Sequence, residues 1–311
     1  MTLNPAIDKL LVLNKFEVHK LHRLEEDERS IISPGGKGVN IALNVKILGQ
    51  EVIATVFAGE HAGHMLCDNL RQRGITTSFI FTKGSTRTNT SILDIKNETL
   101  TEINDFGQVI SKEDMDFFMD NYHLLLHRVD CVVIAGSLPR GVPDDIYRQM
   151  VILAKEHKLK VLVHTSPAHT DSIIGTSPFL INPDMRSYHE LMGKPLDGID
   201  QFIQVGKELL IKNRDTEYVI FTHRIENVVA VTRDKSFVLR PRNLKIVNML
   251  GYGDAYLAGF IHGCKSQWNQ KKILRYASSA GLTNVESLYK EFEDLNLIEK
   301  NLNRIDIEEI S

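Results

Sequence analysis

The run Asn248-Met-Leu-Gly-Tyr-Gly-Asp-Ala-Tyr-Leu-Ala-Gly259 sets a carboxylate and a pair of glycines at what reads as a helix entrance. Asp254 is a good N-cap residue, residues 255–260 are apolar enough for a buried helix, and Gly251 and Gly253 leave the preceding backbone bare. Such a turn aims unpaired N–H groups outward with the positive end of the helix dipole behind them, which makes a ready site for phosphate. A carboxylate inside that site would repel a resting anion. Its presence suits a proton acceptor working beside a phosphoryl group better than a plain anion receptor. On its own, Gly-x-Gly-Asp is also what a tight turn capping a core helix looks like.

A second glycine cluster stands near the other end of the chain. Ser33-Pro-Gly-Gly-Lys-Gly-Val-Asn40 leads into residues 41–48, a stretch with an apolar face that stops at Gly49, so glycines surround a lysine at another helix start. The spacing is not that of a P-loop. His61 and His64 lie close in sequence, but with no third ligand in view they read as ordinary surface histidines rather than a metal site.

The elements that must position these groups come from a chain of 311 residues, 42% hydrophobic and 25% charged, enough for one large α/β domain or two small ones. A formal charge of -3 and a pI near 6.5 give no electrostatic reason to expect nucleic acid or an anionic membrane as partner, although the substrate can still be anionic. The 3 cysteines, Cys67, Cys131 and Cys264, match neither a disulfide framework nor a zinc spacing and read as reduced core residues. No leader-like segment opens the chain and no apolar run reaches about 18 residues, so a cytoplasmic protein is expected.

Residues 10–16 alternate like a strand, and a polar segment, 17–30, follows. Residues 51–58 read as a strand and 63–73 as a helix; 86–96 and 99–104 alternate like an antiparallel pair turning at Asn97-Glu98. These strands suggest a small sheet apart from the main one, a lid drawn from about 9–33 and 86–104. Beyond Asp105, strands at 131–135, 160–164, 179–182 and 217–222 alternate with helices at 144–157 and 199–213, a doubly wound pattern. A hairpin over 228–232 and 236–239, a helix at 271–287 and an alternating tail at 305–310 complete a single domain, 1–311.

With both glycine sites placed, the chain resembles the PfkB (ribokinase-like) sugar kinases, in particular the 1-phosphofructokinase and tagatose-6-phosphate kinase branch. The likeness rests on Thr2-Leu-Asn-Pro-Ala-Ile-Asp8, Gly35-Gly-Lys-Gly-Val-Asn40, Thr86-Arg-Thr-Asn89, Thr101-Glu-Ile-Asn104, Gly136-Ser-Leu-Pro-Arg-Gly-Val-Pro143 and Gly251-Tyr-Gly-Asp254, in the family's order. It implies a three-layer α/β/α sandwich with a mostly parallel central sheet and a β-sheet lid, ATP with Mg²⁺, and a phosphorylated ketohexose as acceptor. Asp254 would take the proton of the acceptor hydroxyl, and the amides of Gly251, Tyr252 and Gly253 would hold charge on the transferring group. Asp8, Gly35, Gly36 and Asn40 would bind the sugar, and Lys37 and Arg87, with Arg140 assisting, its existing phosphate. Asn182, Asp184, Thr222, His223, Arg224, Asn227 and Gly253 fall on the nucleotide side, with Asp184 a candidate for Mg²⁺ through water. Pairing of lid edges would make a homodimer.

Departures from the family cluster on that nucleotide side. The family's Ser-Leu-Gly-x-x-Gly turn is here Phe221-Thr-His-Arg-Ile-Glu-Asn227, and its Lys-Pro-Asn-x-x-Glu is Asn182-Pro-Asp-Met-Arg-Ser187, with serine at the acidic position. Its Asp-Thr-Ser-Gly is His164-Thr-Ser-Pro167, and Tyr252 replaces the usual alanine. The family also has several residues ahead of Thr-Leu-Asn-Pro, so the first strand of the sheet is expected to be short. Fructose 1-phosphate is the expected acceptor. Tagatose 6-phosphate is the alternative, and a sugar-phosphate-binding protein with weak or no kinase activity is the reading from a different class.

Overall fold

The computed structural model describes residues 1–186 and 188–310, and for His223 and Arg224 it describes the backbone. The strands are β1 (Ala6–Leu13), β2 (Arg29–Gly35), β3 (Ile53–Ala58), β4 (Thr76–Phe81), β5 (Arg87–Asp94), β6 (Thr99–Ile103), β7 (Cys131–Ala135), β8 (Lys160–Thr165), β9 (Leu180–Pro183), the two-residue pair β10 (Glu190–Leu191) and β11 (Lys194–Pro195), β12 (Tyr218–Arg224), β13 (Asn227–Val231), β14 (Ser236–Pro241) and β15 (Ile305–Ile310). The helices are α1 (Lys37–Ile47), α2 (Glu60–Gln72), α3 (Lys112–Leu126), α4 (Ile146–Glu156), α5 (Pro167–Ser172), α6 (Ile199–Lys212), α7 (Tyr252–Lys265), α8 (Gln270–Val285) and α9 (Leu295–Asn301).

The main sheet has 7 strands in the order β15-β14-β13-β12-β9-β8-β7. Its β7-β8-β9-β12 half is parallel and the rest antiparallel. Next to β7, Met1 donates its amino group to the Val133 carbonyl at 2.8 Å, and Thr2 makes a parallel bridge to Val56. The first residues thus join the β3-β4 pair to the main sheet. Side chains alternate across it: Val132, Ile134, Val161 and Val163 face α3, α4 and α6, while Ala135 and Leu162 face α1, α7 and α8. Strands covered on both faces must be apolar on both, which is why β7 and β8 read as continuous apolar runs.

The second sheet has 4 strands in the order β2-β1-β5-β6. Its β1 begins at Ala6 rather than at residue 10, because pairing with β5 opposes Ala6 to Arg87. Strand β2 closes the stretch 9–33 expected to supply lid strands, although its polar approach carries no strand pattern of its own. It forms because β1 offers an edge, and Pro34 is tolerated since β2 is itself the outer strand. Strand β4 and helix α3 were likewise unmarked, although Ser111 and Asp114 form a capping box at the start of α3. No helix among the described residues is long and apolar enough to cross a membrane.

Candidate active site

Helix α7 starts at Tyr252, and its N-cap is Gly251 in the left-handed region at φ 85°. This corrects the N-cap expected of Asp254. A glycine that turns the chain needs no side-chain cap, and the carboxylate falls in the first turn, free to point elsewhere. It points into a cleft. Asp254 is 4% exposed, and Oδ2 accepts a 2.8 Å bond from Asn40 Nδ2 on α1. The starts of α1 and α7 therefore meet at the same place, and their unpaired amides make it favourable to anions. Oδ1 has no hydrogen-bond partner among the described residues; His164 Nε2 is 3.5 Å from it.

His164, at the end of β8, was not singled out as a site residue. Its Nδ1 lies 2.9 Å from the Asn182 backbone oxygen, and a carbonyl can only accept, so Nδ1 carries a proton and Nε2 is the edge facing Asp254. The ring approaches so closely that a Cβ on Gly253 would stand 3.2 Å from Nε2, which explains the second glycine of the motif. Burial pushes the Asp254 carboxyl up, but His164, Lys37 and Asn40 more than offset it and hold the group below the usual carboxylate range. The carboxylate is thus ionised at neutral pH. Because His164 contributes to the lowering, His164→Gln should move the acid limb of phosphoryl-transfer activity to higher pH. A limb that stays in place in a pH–kcat profile would contradict this coupling.

The cleft, about 340 Å³, is further lined by Asp8, Gly36, Lys37, Arg87, Asp184, Thr222 and the α7 motif, all expected from the sequence. Asp184 is gripped by Lys37 Nζ at 2.6 Å and Arg186 Nε at 3.2 Å. Against the cost of burial, those two cations keep its carboxyl well below the ordinary range. Arg186 also reaches toward Glu102 of β6, at 3.7 Å, and so ties the two sheets together. Asp8 accepts from Asn89 Nδ2 at 2.8 Å and pairs with Lys290 Nζ at 2.5 Å. Arg87 differs from the other cleft cations. Its guanidinium donates to the carbonyls of Asn4 at 2.9 Å, Asp105 at 3.0 Å and Pro5 at 3.4 Å, and no carboxylate lies within ion-pair distance among the described residues.

Other expected residues fall outside the lining. Gly35 lies under Asp8, where a Cβ would meet the carboxyl carbon at 2.3 Å. Asn182 is fully buried below the floor, donating to the Ile220 carbonyl at 2.6 Å, and serves to hold His164. Arg140 is exposed, and its backbone is bound to Ile110 at 2.8 Å, away from the cleft. Asn227 opens β13, and Ile225 lines the cleft in its stead. In place of the family's glycine turn, β12 and β13 close through Ile225-Glu226, with Ile225 4% exposed. Ser187 and the side chains of His223 and Arg224 lie outside the described residues.

Tyr252, where the family has alanine, leaves its amide free at the helix start by turning its ring to α8. There Gly281 makes room, since a Cβ on Gly281 would come within 2.6 Å of the ring. Gly281→Ala should destabilise the fold by about 1–3 kcal/mol through overpacking, and Tyr252→Ala in the same chain should return most of it. Denaturant midpoints of the single and double variants check this. Equal losses in the two would show that the ring and the glycine are not coupled.

A side-chain seat for Mg²⁺ does not fit this donor set. Asp8 and Asp184 are each committed to cations, Glu102 faces Arg186, and Asp254 accepts from Asn40 with His164 3.5 Å from its other oxygen. A hard divalent ion needs free carboxylate or carbonyl oxygens, and the cleft offers no such pair of carboxylates among the described residues.

An α/β/α sandwich in which two helix starts, a buried carboxylate and an arginine of a second sheet meet at one cleft is the arrangement a phosphotransferase of the sugar-kinase class needs. The chain belongs to the pfkB family of carbohydrate kinases, whose model matches residues 1–291. It is 29% identical over 281 residues, 90% of each chain, to the 1-phosphofructokinase of Bacillus subtilis (strain 168). A Thermotoga maritima crystal structure described as a possible 1-phosphofructokinase superposes with a TM-score of 0.93 at 31% identity, covering 100% of this chain and 98% of that one. Escherichia coli phosphofructokinase-2 in complex with fructose 6-phosphate shares the fold, at TM-score 0.84 and 18% identity over 97% of this chain and 96% of that one. The protein is thus a phosphotransferase with a sugar alcohol group as acceptor, and the family implies ATP as donor.

Proposed function

We propose that the protein phosphorylates a ketohexose phosphate, with fructose 1-phosphate as acceptor and fructose 1,6-bisphosphate as product. The observation that carries this is the Asp254 carboxylate, buried at the first turn of α7, with Oδ1 making no hydrogen bond among the described residues and His164 Nε2 3.5 Å from it. A buried acceptor oxygen without a partner is costly unless a ligand supplies the proton. The acceptor hydroxyl would donate to Oδ1, and the attacking oxygen would develop beside the α7 amides, where the γ-phosphoryl group would sit. Arg87, with no carboxylate within ion-pair distance among the described residues, would take the phosphate the sugar already carries, with Lys37 joining once released from Asp184. Asp8 and Asn40 would orient sugar hydroxyls. Mg²⁺ would arrive on the nucleotide's own phosphates.

The small sheet would act as the lid, since it supplies Asp8, Arg87 and Glu102 to the cleft and can exclude water from the activated phosphoryl group. Its exposed apolar residues include Ile32 at 58% and Ile103 at 60%, on its outer strands, which favours pairing with the sheet of a second copy. Sedimentation should show a dimer that Ile32→Glu dissociates. ADP release with fructose 1-phosphate, tagatose 6-phosphate and fructose 6-phosphate in turn tests the acceptor. A preference for fructose 1-phosphate agrees with the reading, and a preference for either of the others replaces it.

A further inference from the structure

Far from the cleft, His123, His127 and His157 come together. One ring nitrogen from each lies within 4.8 Å of the others, His123 and His127 are exposed, and His157 is half-buried. We propose that this cluster binds a zinc-class divalent transition-metal ion through the three imidazoles, with a fourth position open to water.

The backbone sets up the cluster. His123 lies in the last turn of α3 and His127 is its C-cap, four residues on, so the two rings share a face. His157 is the C-cap of α4. The ends of the two helices are fixed side by side by their buried faces: the Tyr122 hydroxyl donates to the Met150 carbonyl at 2.9 Å, and Leu126 and Ala154 lie in the same core. The histidines thus stand on elements the core already holds, which limits the ordering a metal would impose.

The spacing suits a tetrahedral ion. With metal–nitrogen bonds of about 2.0–2.1 Å and each ring centre roughly 1.2 Å beyond its nitrogen, ring centres around such an ion stand about 5.2 Å apart. The centroids here are 5.7, 5.2 and 4.6 Å apart. The rings now meet edge to face, at 80–86°, so the ligand nitrogens must turn inward. Histidine χ2 is a broad torsion, and two of the rings are exposed, so that rotation is open to them. Electrostatics favours the same outcome, because two helix C-termini with their negative dipole ends converge on the rings. Imidazole donors select zinc, copper, nickel and cobalt over magnesium or calcium.

The cluster is separate from the catalytic cleft by topology. His127 and His157 precede β7 and β8, at the N-terminal ends of those parallel strands, whereas His164 and the cleft lie at their C-terminal ends. Metal binding therefore need not alter the Asp254 site.

The test is titration of the chelator-treated full chain with Co²⁺, read by the visible absorption of tetrahedral cobalt, then displacement by Zn²⁺. One equivalent should bind, Zn²⁺ should displace it, and the melting temperature should rise with metal. His157→Gln and His123→Gln should each weaken binding about 100-fold or more, since even outer-shell changes cost 10–100-fold. His61→Gln, at the separate His61/His64 pair, should leave it unchanged. Because the substituted positions are exposed or half-buried C-terminal turns, metal-free melting temperatures should match wild type and confirm that the variants fold. Absence of a stoichiometric tetrahedral site, or binding that persists in both His157→Gln and His123→Gln, would overturn the proposal.

Discussion

Asp254→Asn is expected to lower kcat about 10²–10⁴-fold, the range that a positioned general base contributes, while KM for the sugar phosphate changes by a few-fold. The substitution keeps the volume and can still accept from Asn40, but it removes the basic oxygen opposite the acceptor hydroxyl. The remaining rate would come from the α7 amides and from orientation, which do not depend on the carboxylate. The same substitution removes a buried charge whose negative form His164 and Lys37 favour, so it should also cost some stability. Steady-state kinetics with a check of the melting temperature separates the effects. A loss carried in KM with kcat preserved would assign Asp254 to binding.

Arg87→Ala is expected to raise KM for the phosphosugar about 10–150-fold, which is what loss of a charge-assisted contact of about 1.5–3 kcal/mol amounts to. The expectation rests on charge balance in the cleft. Lys37, Arg186 and Lys290 each face a carboxylate already, whereas Arg87 is held by carbonyls that fix its plane without neutralising it. Burial lowers the Arg87 pKa, with Asp8 and Asp105 acting against that, so an incoming phosphate would relieve a desolvated charge. The non-phosphorylated sugar should lose little in the variant. Equal losses for sugar and sugar phosphate would place Arg87 in the scaffold of the small sheet.

How much of this was legible in the sequence differs from one residue to the next. Asp254 and the glycines ahead of it were visible because a helix start, a carboxylate and bare backbone lie within a few positions. The position of the cap was misread, since aspartate is the stronger N-cap by propensity and only the left-handed Gly251 displaced it. Lys290 had no local signature. It meets Asp8 across 282 positions, through a loop after α8 that the fold brings under β1. His164 was noticed as a departure from the family's aspartate, but its function depends on the Asn182 carbonyl and on Gly253, which only the sheet order brings together. Strands β7 and β8 were plain because cover on both faces makes them continuous apolar runs. Within the stretch expected to supply lid strands, β2 carried no strand pattern of its own, because its pairing with β1, rather than its composition, makes it a strand.

The changes on the nucleotide side form a structure of their own. Ile225 fills the place of a glycine turn, and Asp184 bridges Lys37 and Arg186. On the proposed reading, a ligand phosphate that draws on Lys37 must compete with this internal ion pair.

The central claim is that Asp254 serves catalysis in this cleft. The most direct measurement is ADP formation from ATP with fructose 1-phosphate by wild type and Asp254→Asn, alongside titration of both with fructose 1-phosphate alone. The account predicts turnover by wild type, its collapse in the variant, and binding within a few-fold in both. Binding by wild type with no turnover on this or the other phosphosugars would contradict it, and would leave a sugar-phosphate-binding protein whose altered donor side has ended catalysis.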